Sequence, residues 1–135
     1  MALIDWNDDL SVNIKEVDQE HKKLINLINS LHSAMGSGQG KKAMGPVLAG
    51  LVDYTKTHFA FEEQLMRKNR YPGYLNHKSL HDSLTEQVVE LNNKYQEGKT
   101  LVTVEVLAFL KDWLTNHIKT VDKKYGPYLN AKGVV

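Results

Sequence analysis

The chain has 135 residues, no cysteine, and 17 basic residues against 16 acidic ones, for a formal charge of +1. The length suits one domain with a real hydrophobic core. The lack of cysteine excludes disulfides, thiolate metal sites, iron–sulfur clusters and thiol catalysis, and the balanced charge offers no basic stripe for nucleic acid or an anionic membrane. No apolar run approaches the ~18 residues of a membrane span, and the acidic N-terminus lacks the apolar core of a signal segment. The expectation is a soluble cytoplasmic chain without membrane insertion.

Residues 1–18 read as an extended arm. Trp6, Leu10, Val12, Ile14 and Val17 are spaced to lay apolar side chains on another surface. Asp18 reads as an N-cap, with Glu20 near the positive end of the helix dipole. The first helix, 19–36, carries His21, Leu24, Ile25, Ile28, Leu31, His32 and Met35 on one face. A glycine-rich loop, Gly36-Ser-Gly-Gln-Gly40, ends it. The second helix, 41–71, has Pro46 expected near its first turn. Its stripe includes Leu48, Leu51, Tyr54, Thr55, His58, Phe61, Glu62, Leu65 and Met66, and Tyr71-Pro72-Gly73 stops it.

The third helix, 74–97, presents His77, His81, Leu84, Val88, Leu91 and Tyr95, with Gly98 at its end. The fourth, 101–123, starts near Thr100 to Thr103 and lines up Leu107, Leu110, Trp113, Leu114, His117, Ile118 and Val121. Gly126-Pro127 is expected to close it, leaving a short tail, 124–135. The fold class is therefore all-α: an up-down-up-down antiparallel four-helix bundle in a single domain, 1–135.

That topology carries a test within the sequence. The start of helix one, the end of helix two, the start of helix three and the end of helix four share one end of the bundle. His21, then His58 and Glu62, then His77 and His81, then His117 and Asp122 all fall at that end. Ligands four apart share a helix face, so these seven can converge. Seven ligands suit two metal ions with bridging carboxylates. Five neutral imidazoles and two carboxylates contribute a charge of −2, and the mixed nitrogen and oxygen set points to a di-iron site. Asp122 lies five residues past His117, about 140° off its face on an ideal helix, so the helix is expected to loosen or end there.

The ordered pattern of a lone His21, His58-x3-Glu62, His77-x3-His81 and His117-x4-Asp122 resembles that of the hemerythrins, particularly the single-domain bacterial ones. The arm, with Trp6-Asn7-Asp8, Leu10-Ser11-Val12 and Val17-Asp18-x2-His21, is similar to the family's N-terminal signature. The resemblance spans essentially the whole chain. It implies that His77, His81 and His117 bind one iron, that His21 and His58 bind the other, and that Glu62 and Asp122 bridge both with an oxo or hydroxo group. One iron is then six-coordinate, and the other keeps an open position. The implied function is reversible O2 binding, end-on as hydroperoxide at the five-coordinate iron, for carriage, storage or supply. Phe59, Trp113, Leu114 and Ile118 match the family's O2 pocket.

Plainer readings stand beside these. His32 lies ~16 Å along the helix from His21 and reads as a packed, hydrogen-bonded core histidine. Glu63 points about 100° away from Glu62 and reads as a solvated surface charge. Tyr54, one turn from His58, reads mainly as core. Trp6, Tyr125 and Tyr128 are expected to cover the metal end, and Lys41-Lys42 and Lys123-Lys124 to be exposed helix ends. A di-iron oxidase or peroxidase is the first alternative function. Oxygen-activating bundles use two Glu-x2-His motifs, and this sequence has none. An oxygen or redox sensor normally needs an output domain beyond such a length, and a purely structural metal bundle would have no open position. A monomer is expected, and no acceptor protein can be named.

Overall fold

In a computed structural model, residues 3–38, 40–97 and 104–135 are described, the side chains of 40–43, 104 and 105 excepted. The expected end of the third helix at Gly98, the start of the fourth at 101–103, Gln39 of the glycine loop and the Lys41-Lys42 side chains lie outside the described residues. Four long helices make up the bundle: α1, Lys15–Gly36; α2, Gly40–Lys68; α3, Tyr74–Gln96; and α4, Val104–His117. A fifth, α5, spans Lys123–Ala131, and no strand occurs among the described residues. α2 packs against α1 and α3, and α1 packs against α4. Across the remaining seam, the Trp113 indole N–H donates to the Leu84 carbonyl at 3.1 Å.

The helical stripes form the core. Leu24, Ile28 and Leu31 of α1 meet Leu48 and Leu51 of α2, Val88 of α3 and Leu110 of α4, all fully buried. Burying such side chains contributes about 1.5–3 kcal/mol each before entropy is charged against it. A second cluster covers one end of the bundle. It joins Val12 and Ile14 of the arm and Val17 of the first turn of α1 to Met66, Tyr125 and Leu129.

Several local features differ from the sequence reading. α1 starts at Lys15, after Ile14 in extended conformation, so Asp18 is not its N-cap. The Asp18 carboxylate turns back instead, accepting from Ser11 Oγ at 2.6 Å and from the Val12 N–H at 2.9 Å. It thereby ties the arm to the first turn. The arm is interrupted by a 3-10 turn, Asp8–Leu10, which Asn7 caps. Pro46 sits well inside α2 rather than in its first turn, where it forgoes one helical hydrogen bond.

α2 ends at Lys68, short of Tyr71. Arg70 takes the left-handed conformation with φ 56°. The Tyr71 N–H bonds back to the Met66 carbonyl at 2.9 Å and the Arg70 N–H to the Arg67 carbonyl at 3.2 Å, a Schellman stop with arginine in the usual glycine position. The expected tail, 124–135, is mostly helical. Gly126-Pro127 does not close α4, because both residues lie inside α5. A Cβ on Gly126 would come within 2.9 Å of the Val12 carbonyl oxygen, so glycine lets the arm lie directly on α5.

Candidate metal centre

Between α4 and α5 the chain forms a π-helical turn, Ile118–Asp122. A π turn accommodates one more residue than an α turn, and such turns frequently mark functional sites. Here it carries Asp122 round to the face of His117, and the two side chains approach to 2.9 Å. The loosening expected at this point takes that form, and the helix then continues through α5.

The seven expected residues come together. His21, His58, Glu62, His77, His81, His117 and Asp122 are all at most 6% exposed. Their donor atoms fall into two groups, each with all atoms within 4.8 Å of one another: His21, His58, Glu62 and Asp122, and His77, His81, His117, Glu62 and Asp122. The two carboxylates are common to both. Glu62 Oε1 lies 3.2 Å from His58 Nε2 and 3.3 Å from His81 Nε2. Asp122 Oδ1 lies 2.9 Å from His77 Nε2, and Oδ2 lies 3.0 Å from His21 Nε2.

These approaches are not hydrogen bonds. All five Nε2 atoms, Glu62 Oε1 and both Asp122 oxygens are buried without a hydrogen-bond partner. Orphaned buried polar groups are costly. These eight atoms belong to the two ligand groups and face one another across a few ångströms. That arrangement fits two cations sharing a pair of bridging carboxylates. Without cations, the carboxylates draw protons to the rings. Burial favours neutral His58, but the Glu62 charge and the contact with Glu20 outweigh it and raise its pKa to about 10. His21 is raised too, as Asp122 and Glu62 overcome its burial. Burial pushes Glu62 up, yet the neighbouring His58, His21 and His81 hold it well below the usual carboxylate range. Asp122 is likewise lowered: His117 and His21 prevail over burial and the Glu62 charge.

Three further residues make polar contacts with the ligands. Glu20 Oε1 lies 2.5 Å from His58 Nδ1, and Glu63 Oε2 lies 2.9 Å from His81 Nδ1. Glu63 is therefore not a free surface charge, and Glu20 does more than meet a helix dipole. The Tyr125 hydroxyl donates to Glu62 Oε2. Burial, then the Glu62 and Asp122 charges, push the Tyr125 phenol well above its ordinary pKa, so it stays a donor. The only sequence signal for the two glutamates was their position beside a ligand, turned toward the next helix. Tyr54 stacks on His58 with centroids 6.4 Å apart. His32 is not part of the centre, and its Nδ1 is buried without the hydrogen bond expected of it.

Beside the His21 and His58 group lies a small pocket, with room of about 10 Å³ for the centre of a water-sized molecule. That is about enough for one small guest. Besides His21, His58 and His117, its walls are Leu24, Phe59, Leu84, Trp113 and Leu114. Phe59, Trp113 and Leu114 were expected there, whereas Leu24 and Leu84 were not. Ile118 is fully buried in the core but does not line the pocket. Phe59 also stacks face to face on His81, with centroids 3.8 Å apart.

Comparison with known proteins agrees with this geometry. The hemerythrin HHE cation-binding domain matches residues 12–129. A bacteriohemerythrin from Stenotrophomonas maltophilia is 40% identical over 131 residues, covering 97% of this chain and 84% of that protein. One from Methylococcus capsulatus is 36% identical, covering 97% of this chain and 100% of that protein. A crystal structure of wild-type hemerythrin superposes with a TM-score of 0.87 at 36% identity, covering 95% of this chain and 98% of that one. With the family profile spanning the metal-binding end and all four bundle helices, the chain belongs to the hemerythrin family.

Proposed function

We propose that this protein binds O2 reversibly at a di-iron centre, for oxygen carriage, storage or supply. The observation that carries this reading is the shared use of Glu62 and Asp122 by two ligand groups of unequal size, with an apolar pocket on the smaller one. When bound, the iron pair supplies the reversible electron exchange by which O2 is held and released. Imidazole and carboxylate donors suit iron. His77, His81 and His117, with Glu62 and Asp122, would hold one iron, and His21 and His58, with the same two carboxylates, would hold the other with one protein donor fewer.

The remaining chemistry belongs to the chain. Leu24, Phe59, Leu84, Trp113 and Leu114 make the pocket dry, which denies the bound gas the protons and water that would drive it off as peroxide. No titratable side chain other than the ligand histidines lines the pocket to serve as a proton donor. Binding without turnover is therefore the reading, rather than an oxidase or peroxidase activity. In this proposal the protein works as a cytoplasmic monomer. The monomer is supported by the small number of exposed large hydrophobic side chains, which among the described residues are Leu75, Leu80 and Val135. No helix among the described residues is long and apolar enough to cross a membrane.

The ligand assignment is tested at His77. The His77→Ala variant is expected to lose iron from the three-histidine position, measured as iron per chain after reconstitution. A variant that keeps the parent's iron content and binds O2 normally would show the assignment to be wrong.

A further inference from the structure

We propose that Glu20 and Glu63 are positioning residues, each holding one ligand ring in its metal-ready tautomer, and that Glu20 in addition sets the affinity for the gas. The inference rests on the metal-binding reading of His58 and His81. Each ring is held on two sides by matching means. His58 has the Glu20 carboxylate at Nδ1 and Tyr54 stacked on its face. His81 has the Glu63 carboxylate at Nδ1 and Phe59 stacked on its face. Both carboxylates come from the neighbouring helix: Glu20 on α1 reaches α2, and Glu63 on α2 reaches α3. The same two contacts thus fix ring orientation and tie adjacent helices around the metal end.

The chemistry follows from which nitrogen carries the proton. A carboxylate at Nδ1 keeps the N–H there and leaves the Nε2 lone pair facing inward, and it makes the imidazole a stronger donor. The pattern is selective. His21 belongs to the same ligand group as His58, yet its Nδ1 is buried with no hydrogen-bond partner. Each ligand group therefore contains a carboxylate-backed ring, and only one of those rings, His58, borders the pocket. Holding O2 draws electron density from the metal, so a stronger donor beside the pocket favours the bound state. Glu63 acts on the side away from the pocket, and its effect is on metal retention.

The test uses the full chain loaded with zinc, a diamagnetic probe, and separately with iron(II). The variants are Glu20→Ala, Glu20→Gln, Glu63→Ala and Glu63→Gln, with the exposed Glu90→Gln as control. The alanine variants are expected to release zinc to a chelator ~10–100-fold faster than the parent and to lose the slowly exchanging ring N–H resonance of their histidine. The glutamine variants, which still accept a hydrogen bond, restore the resonance and most of the retention. In the iron form, Glu20→Gln weakens O2 affinity while Glu63→Gln leaves it near the parent value. Alanine variants with unchanged resonances and release rates would overturn the positioning role, and the isosteric glutamine pair keeps the test sound if an alanine variant fails to fold. Equal O2 shifts in both glutamine variants would overturn the special role of Glu20. A parent chain that held no zinc would contradict the metal site itself, so the two failures are distinguishable.

Discussion

Leu114 shows what a single side chain does for the pocket. It is 3% exposed, lines the cavity, and sits one turn before His117. Leu114→Ala is expected to enlarge the pocket and admit water, raising the autoxidation rate while iron content stays intact. The enlarged cavity also costs about 2–5 kcal/mol of stability. An unchanged autoxidation rate, followed optically in air, would remove the shielding role. The ligands themselves set a pH dependence in the metal-free protein. Glu62 and Asp122 have lowered pKa values, so their contribution to stability is present above pH ~4 and lost as the pH falls further. His58 is raised to about 10, so its contribution is complete below about 6.5 and lost as pH rises through about 10. Urea unfolding across pH should show stability falling off on both sides. Metal must displace the His58 proton, so iron(II) affinity should rise between about pH 6 and 8; a fall over that range would contradict the shift. The ligands were legible from the sequence because their spacing is a helical signature. The contacts of Glu20 and Glu63 were not, since they depend on which neighbouring helix the side chains reach; Tyr125 was expected at the metal end, but not its bond to Glu62.

At the scale of elements, the informative departures lie where helices start and stop. Asp18 looks like an N-cap because aspartate is common there. Its carboxylate instead has Ser11 and Val12 to bind, a tertiary preference that local pattern does not encode. Gly126-Pro127 looks like a stop. The π turn ahead of it lets the chain continue, and the glycine is needed for close approach of the arm. Gly126→Ala should therefore lift the arm from α5 and cost about 1–3 kcal/mol through overpacking against a backbone oxygen. Thermal or urea unfolding measures this directly, and an unchanged midpoint would show that the arm can shift without loss. The angle of Asp122 could be read as a problem from the sequence. Its solution by a π turn needed the structure, because the extra residue leaves no compositional trace.

The bundle as a whole was the most legible level. Its core positions repeat with helical period along four segments, and their burial follows that repeat from Leu24 to Leu110. The requirement that alternate helix ends meet then brought seven ligands to one place. The arm and α5 complete the molecule by closing that end: Val12 and Ile14, with Val17 at the start of α1, pack with Tyr125 and Leu129, and Tyr125 reaches through to Glu62. The buried ligand atoms left without partners are the feature of the whole molecule that a cation pair resolves. The most direct measurement is the visible spectrum of protein loaded with iron(II) without air, exposed to O2, and then freed of it. A charge-transfer band that appears with O2 and disappears on its removal, over repeated cycles, is the expected result. Immediate and irreversible conversion to a ferric spectrum with release of peroxide would contradict reversible binding.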